Sequence, residues 1–205
     1  RKEDTRFIQG QGQYSDDINR PDQCYCAFVR SPVAHGIIRN IDIGDTLSAD
    51  GVIAALTGRD YADDGCGPIL HRAIEGDPAD WQRPAFGAED PVAIEIPQWP
   101  MPFDKVRHVG EPVAMVIAET AAAAVEGAER VILDIEELPP VVDIPQAAAS
   151  SAPQVHDSVP HNLCVHASRG DAKAADTALN DADTVVRGTF NVPRVAGGQM
   201  EPRSG

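Results

Sequence analysis

The feature that most constrains the fold is a short apolar run at Val113–Ile117, which contains no polar side chain. Such a run is typical of a strand that is buried on both faces, as strands of parallel sheets are. Thr120 can cap a helix of about three turns that ends near Arg130, and Val131–Ile135 is strand-like again. Strand, helix and strand in this order predict a βαβ crossover whose two strands lie parallel. The turn at 110–112 precedes the first strand.

A second, smaller pattern of the same kind lies earlier in the chain. Cys24–Ser31 and Gly36–Ile43 are predicted strands, separated by Pro32. Asp45 can cap a short helical turn, and Val52–Leu56 is a third apolar run. Two strand–helix–strand patterns with extended segments between them favour one α/β or α+β sheet domain over a helical bundle.

The charge and length of the chain limit the possible functions. A formal net charge of −15 disfavours binding to nucleic acid or to an anionic membrane surface. No apolar run approaches the roughly 18 residues that a membrane span needs, so a soluble, cytoplasmic protein is predicted. A chain of 205 residues can form a proper core. Both ends look cut, which predicts that the chain is a piece of a longer protein.

Histidine and cysteine are the candidate metal ligands, and their spacing matches no metal motif. His156, His161 and His166 are five residues apart in predicted loop, which differs from the spacing of zinc sites. We therefore expect that replacing all three with alanine leaves metal content and folding nearly unchanged. Cys24 and Cys26 are predicted to be small buried hydrophobes or free thiols. Neither a disulfide framework nor an iron–sulfur site is expected from the four cysteines: Cys24, Cys26, Cys66 and Cys164.

Other candidate motifs also fail. Gly10 and Gly12 lack the third glycine and the preceding strand of a dinucleotide-binding fingerprint. The acidic pairs Asp16–Asp17 and Glu136–Glu137 are adjacent, so in a strand their side chains would point to opposite faces. No nucleophile elbow, P-loop or zinc-protease motif occurs. The residues themselves thus predict a sheet domain with no recognisable active site.

Two long segments have little pattern. Residues 60–105 are rich in glycine, proline and acidic residues, and their aromatic side chains could either pack on a partner or pin the loop to its own domain: Trp81, Phe86, Trp99 and Phe103. Residues 145–160 read as a linker. Beyond it, Ala172–Leu179 is a predicted helix and Thr184–Asn191 a predicted strand.

Six stretches in collinear order give the chain a specific resemblance. They are FIQGQGQYSDD (7–17), VRSPVAHG (29–36), GVIAALTGRD (51–60), VRHVGEPVA (106–114), ELPPVVD (137–143) and MEPR (200–203). Together they resemble the opening of the large, molybdenum-binding subunit of the xanthine dehydrogenase and aldehyde oxidase family, which includes aerobic carbon monoxide dehydrogenase. The chain departs from the expected pattern at Gly197–Gln199 and at Ser204.

The resemblance implies an α+β fold of the α/β hammerhead type, with a mixed sheet and βαβ units. It assigns residues 1–144 to the hammerhead domain, 145–160 to a linker and 161–205 to the start of a truncated molybdopterin-binding domain. In the family the catalytic glutamate and the pterin contacts lie downstream of the MEPR motif. The resemblance therefore implies that this chain carries no catalytic, cofactor-binding or metal-ligating residue, and that by itself it is structural and inactive.

The resemblance also implies the chemistry of the full-length parent. That chemistry is oxidative hydroxylation of an aldehyde, a purine or a nitrogen heterocycle, or oxidation of carbon monoxide. The expected cofactors are molybdopterin in its cytosine dinucleotide form, with 2Fe–2S clusters on a small partner subunit and FAD on a medium one, arranged as a dimer of heterotrimers. The alternative from a different class is a free-standing interaction or assembly module derived from the hammerhead domain.

Overall fold

The computed structural model describes residues 4–14, 17–69, 92–94, 96–166, 170–190 and 192. The chain divides into two units, of which the first is Cys24–Ala172 and the second combines Arg1–Gln23 with Lys173–Gly205. We call the first the central unit and the second the terminal unit. All strands assigned within the described ranges belong to the central unit.

Short helices and strands alternate along the described residues. The helices are α1 (Asp4–Ile8), α2 (Gly44–Leu47), α3 (Gly58–Asp63), α4 (Ala121–Glu129), α5 (Ile144–Ala147) and α6 (Ala172–Asn180), with a 3₁₀ turn at Pro160–Asn162. The strands are β1 (Tyr25–Arg30), β2 (Gly36–Asp42), β3 (Val52–Thr57), β4 (Val92–Ala93), β5 (Lys105–Val106), β6 (Pro112–Ala118), β7 (Ile132–Glu137) and β8 (Val165–His166). Within the described ranges, no helix has the length and apolar character needed to cross a membrane.

Most of the predicted elements are confirmed, and two details differ. Thr120 caps α4 by accepting a hydrogen bond from the Ala123 amide at 3.1 Å, as the sequence predicts. Ile43 occupies the N-cap of α2, so Asp45 lies in the first turn and the predicted Asp45 cap is wrong. Residues 184–190, predicted as a strand, form neither helix nor strand.

The strands form two three-stranded sheets in the orders β1–β6–β3 and β5–β2–β7, and β4 pairs with β8. We call the first two sheet A and sheet B. Every strand pair in the described residues is antiparallel, so the prediction of parallel strands in the two crossovers is wrong. The reason is that β6 is the central strand of sheet A, with β1 and β3 on its two edges. No edge is left for β7, which pairs with β2 in sheet B instead. The broader α+β class is confirmed.

The core lies where α4 packs on one face of sheet A. Val116 of β6 is fully buried there, and burying a valine side chain contributes about 1.5–3 kcal/mol. Gly127 allows the close approach of the helix, because a Cβ there would lie only 2.9 Å from a methyl carbon of Val116. Thr46 of α2 is also buried and donates a hydrogen bond to the Gly127 carbonyl at 3.1 Å. These contacts join α2, α4 and sheet A.

The predicted linker at 145–160 is fastened to the central unit by specific contacts. Lys105 of β5 forms an ion pair with Asp157 at 2.8 Å, and Val159 is fully buried. Asn162, with φ of 55°, accepts a hydrogen bond from the Val155 amide at 2.8 Å and donates two to carbonyls of the same segment. We call residues 153–164 the strap. The predicted domain boundaries at residues 144 and 160 stay predictions.

Candidate functional site

A cavity of about 360 Å³ lies in the central unit, between residues 94–102, the turn from β5 to β6 and the strap. Its apolar wall includes Ile94, Ile96, Trp99 and Pro102. Trp99 is held by edge-to-face contacts with Tyr61 and Phe103, at centroid separations of 6.4 and 5.1 Å. For Trp99 and Phe103 the structure therefore shows packing within their own unit, whereas Trp81 and Phe86 lie outside the described residues.

The turn between β5 and β6 supplies the polar wall of the cavity. Glu111 accepts a hydrogen bond from the Arg107 amide at 2.6 Å, and its own amide donates to the His108 carbonyl at 3.3 Å. Gly110 has φ of 84°, a conformation that favours glycine, and its amide donates to the Ser31 carbonyl at 2.8 Å. The predicted turn at 110–112 is thus confirmed, and it fixes the Glu111 carboxylate and Arg107 at the rim.

Arg107 carries the positive charge of the cavity. Its Nη1 donates to the Lys105 carbonyl at 2.8 Å, and its Nη2 lies 3.4 Å from an Asp104 carboxylate oxygen. The buried Nε has no hydrogen-bond partner among the described residues. Burial lowers the pKa of His156, and the charges of Arg107 and Lys105 lower it further. His156 is therefore neutral at pH 7, and Arg107 presents a donor beside an apolar wall.

This arrangement is suited to binding rather than to catalysis. The apolar wall can hold a hydrophobic group, and the guanidinium can donate to an acceptor at its edge. Cys164 lines the cavity but is a free, half-buried thiol. No group of three or more His, Cys, Asp or Glu side chains that could hold a metal occurs among the described residues. No reaction step is assigned to the described side chains.

The structure separates the three histidines that the sequence singled out. His156 lines the cavity, His161 lies exposed in the 3₁₀ turn with φ of 54°, and His166 lies in β8. Cys24, Cys26 and Cys66 are exposed free thiols. The prediction that the chain holds no catalytic, cofactor-binding or metal-ligating residue stays a prediction.

The adjacent acidic residues that the structure describes make local contacts. Glu136 forms an ion pair with Arg39 on sheet B. Asp17 accepts a hydrogen bond from the Tyr14 amide at 2.9 Å, whereas Asp16 lies outside the described residues. The segment before Gly10 is helix α1 rather than a strand, unlike a dinucleotide-binding fingerprint.

Sequence reasoning missed Arg107 and Glu111 as site residues. The only signal available was a charged pair flanking a glycine turn, which by itself is typical of a solvated loop. The residues that complete the cavity lie about 50 positions further on, in the strap. Their proximity depends on the Lys105–Asp157 ion pair and on Asn162, which no short motif encodes.

Comparisons with known proteins agree on one family. Residues 9–139 match the model of the aldehyde oxidase and xanthine dehydrogenase a/b hammerhead domain. The chain is 35% identical to the nicotine 6-hydroxylase large subunit of Paenarthrobacter nicotinovorans over 205 residues, which cover 99% of this chain and 23% of that subunit. It is 31% identical to the carbon monoxide dehydrogenase large chain of Hydrogenophaga pseudoflava, covering 95% of this chain and 23% of the relative.

A solved structure supports the same conclusion about the fold. The reconstituted CO dehydrogenase from Oligotropha carboxidovorans superposes with a TM-score of 0.68 at 27% identity, covering 90% of this chain and 22% of that chain. The predicted hammerhead fold is thereby confirmed. The chain spans less than a quarter of the length of these three proteins.

Proposed function

Because the chain belongs to the aldehyde oxidase and xanthine dehydrogenase family, we propose that it is the hammerhead part of a molybdenum hydroxylase large subunit. The observation that carries this proposal is the match of the family model over residues 9–139, continued by relatives that align with nearly the whole chain. The reaction of the whole enzyme is oxidative hydroxylation of an aldehyde, a purine or a nitrogen heterocycle, or oxidation of carbon monoxide.

The cofactors of this enzyme lie outside the described residues of this chain. Molybdopterin, in the cytosine dinucleotide form, binds to the remainder of the large subunit and supplies the redox chemistry when bound. A small subunit carries 2Fe–2S clusters, a medium subunit carries FAD, and two such heterotrimers form a dimer. The support for this assignment is the membership of the chain in the family and the fact that it spans less than a quarter of the length of its relatives.

The hammerhead part itself has a structural role. Its rigid elements are sheet A with α4 and the strap with its ion pair to Lys105. The cavity beside Arg107 lies between residues 96–102, the turn from β5 to β6 and the strap, and it offers an apolar wall beside a guanidinium group. In the whole enzyme this surface forms one wall of the substrate channel.

The test is the molybdenum content of the native polypeptide. The product is captured from its source cells with an antibody raised against this chain, and molybdenum is measured per polypeptide by elemental mass spectrometry. The expected result is about one molybdenum on a chain roughly four times longer than this one. A long chain that contains no molybdenum in any preparation would contradict the proposed enzyme class.

A second candidate function is a free-standing interaction module. The observations that favour it are the binding character of the cavity and the net charge of −15, which suits a basic partner. The same capture experiment separates the two candidates. A native product of about 22 kDa without molybdenum would support the module and would move attention to its binding partner.

A further inference from the structure

One face of sheet A carries two cross-strand rows of uncharged side chains that no described helix covers. In the first row Phe28 of β1, Met115 of β6 and Leu56 of β3 lie opposite one another. The second row consists of Cys26 of β1, Ile117 of β6 and Ala54 of β3, which also lie opposite one another. Because side chains alternate between the faces of a strand, all six point to the same side. We call these six residues the open face.

The other face of sheet A is the one that α4 covers. The alternate residues of the central strand, Ala114, Val116 and Ala118, are fully buried there. On the open face, by contrast, Phe28 is 48% exposed, Cys26 is exposed, and the remaining four side chains are partly exposed. A half-covered sheet with aliphatic and aromatic residues on its free side is typical of an interaction surface.

The open face differs from the exposed surface of sheet B. Ile132 of β7 is 60% exposed, but its cross-strand partner is Asp42, so it does not belong to an apolar row. Arg30 lies at the margin of the open face, with its Cζ 6.0 Å from the centroid of the Phe28 ring. Its Nη1 donates a hydrogen bond to the Gly110 carbonyl at 2.8 Å. The guanidinium is thus tied to the turn at the edge, and the centre of the face is free of charge.

We propose that the open face is the surface on which the remaining part of the large subunit packs, through an apolar and uncharged surface of its own. This inference rests on the proposed function, under which the relatives' lengths leave more than three quarters of the large subunit outside this chain. A segment of the same polypeptide is present at high effective concentration, so the contact forms without the entropic cost of association.

Charge argues against a second copy of this chain as the occupant. Two copies would each bring a net charge of −15 to the contact, and this repulsion disfavours their association. A permanent contact within one polypeptide fits an apolar face of this kind.

Cys26 supplies a probe within the open face. The native product is treated with iodoacetamide, and the alkylation of each cysteine is followed by peptide mass spectrometry, with the urea-denatured product as reference. Cys66, an exposed thiol outside the open face, is the internal control. Burial raises the pKa of Cys26 and slows its alkylation somewhat even in the free face. Cys26 is therefore counted as protected only if its alkylation is more than tenfold slower in the native product than in the denatured one.

The expected result is that Cys26 reacts at least about 100-fold more slowly in the native product than in the denatured one. Reaction within tenfold of the denatured rate, on a long molybdenum-containing chain, would overturn the inference while leaving the proposed function intact. Protection that disappears on dilution would assign the face to a second copy, and protection lost on removing the smaller subunits would assign it to one of them. Either result would refute the proposed occupant.

A charge substitution sharpens the test. Phe28→Asp places a carboxylate on the open face, in the same strand as Cys26, so the protection of Cys26 in the native product should fall at least about tenfold. Ile132→Asp introduces the same charge at a similarly exposed strand position on sheet B and should leave Cys26 protected. Equal protection of Cys26 in the two variants would contradict the proposal. The intact mass of the product, measured in the same samples, shows separately whether the proposed function holds.

Discussion

Replacing Gly58 with alanine tests whether the start of α3 is packed directly against backbone. Gly58 is buried at the first position of α3, between Thr57 and Asp60, which form the capping box. A Cβ at this position would lie 2.9 Å from the carbonyl carbons of Met101 and Pro102, and closer still to the Met101 oxygen. Backbone cannot rotate away as the end of a side chain can, so either α3 or the 101–102 segment must move.

The cost follows from this geometry. Overpacking a well-packed site costs about 1–3 kcal/mol, and a clash with backbone belongs at the upper end of that range. Alanine regains up to about 1 kcal/mol of helix propensity relative to glycine. We therefore expect Gly58→Ala to lower the free energy of unfolding by about 2 kcal/mol. Because Pro102 lines the cavity, the same shift should loosen its apolar wall.

Gly67 provides the matched control. A Cβ at Gly67 meets no atom within 4 Å, and its φ does not lie in the left-handed region. Gly67→Ala should therefore leave the free energy of unfolding unchanged or raise it by up to about 1 kcal/mol, because alanine reduces the conformational entropy of the unfolded chain. Urea unfolding followed by tryptophan fluorescence measures both variants, because Trp99 lies close to Met101 in the chain. A Gly58→Ala protein as stable as the Gly67→Ala protein would refute the packing assigned to Gly58.

Three further predictions concern the core, the cavity and the strap. Thr46→Val should lower the free energy of unfolding in urea by about 1 kcal/mol, because the buried hydroxyl no longer donates to Gly127; an unchanged midpoint would contradict this. The pKa of His156 is lowered in the folded state, so the neutral imidazole contributes fully to the free energy of unfolding above about pH 6.5. This contribution is lost as the pH falls through the folded pKa. His156→Gln should flatten the dependence of the unfolding free energy on pH between about pH 7 and 5. The same slope in the variant and the unmodified protein would argue against a lowered pKa of His156. Asn162→Asp removes the two donors to the Ala147 and Pro153 carbonyls and should lower the free energy of unfolding in urea by about 1–3 kcal/mol; an unchanged midpoint would oppose this role.

The positions of the elements could be predicted because they depend on local sequence. Thr120 and the alanines after it determine where α4 begins, and the apolar runs mark β3 and β6. The pairing of the strands could not be predicted in the same way. An apolar run such as β6 is compatible with parallel or antiparallel neighbours, and the choice was made by β1 and β3 occupying both of its edges.

The cavity could not be predicted because its parts come together only through tertiary contacts. Arg107 and Glu111 come from one tight turn, whereas His156 comes from the strap. The composition of residues 145–160, which include the first part of the strap, indicates a linker, since Ala, Ser and Pro dominate them. What orders it is a pair of polar contacts, the Asp157 ion pair with Lys105 and the three hydrogen bonds of Asn162. Contacts of this kind leave no periodic signal in a sequence.

The apolar run of β6 also predicts that both faces of this strand are covered in the whole protein. A strand that faces water on one side normally alternates apolar and polar residues, but Val113–Ile117 contains no polar residue. In the central unit α4 accounts for one of its faces, through Val116 and its neighbours. On the other face Val113 is also fully buried, whereas Met115 and Ile117 are only partly covered. The prediction of burial on both faces is thus met by the described structure at Val113 and on the α4 side, and at Met115 and Ile117 only if the open face is covered as proposed.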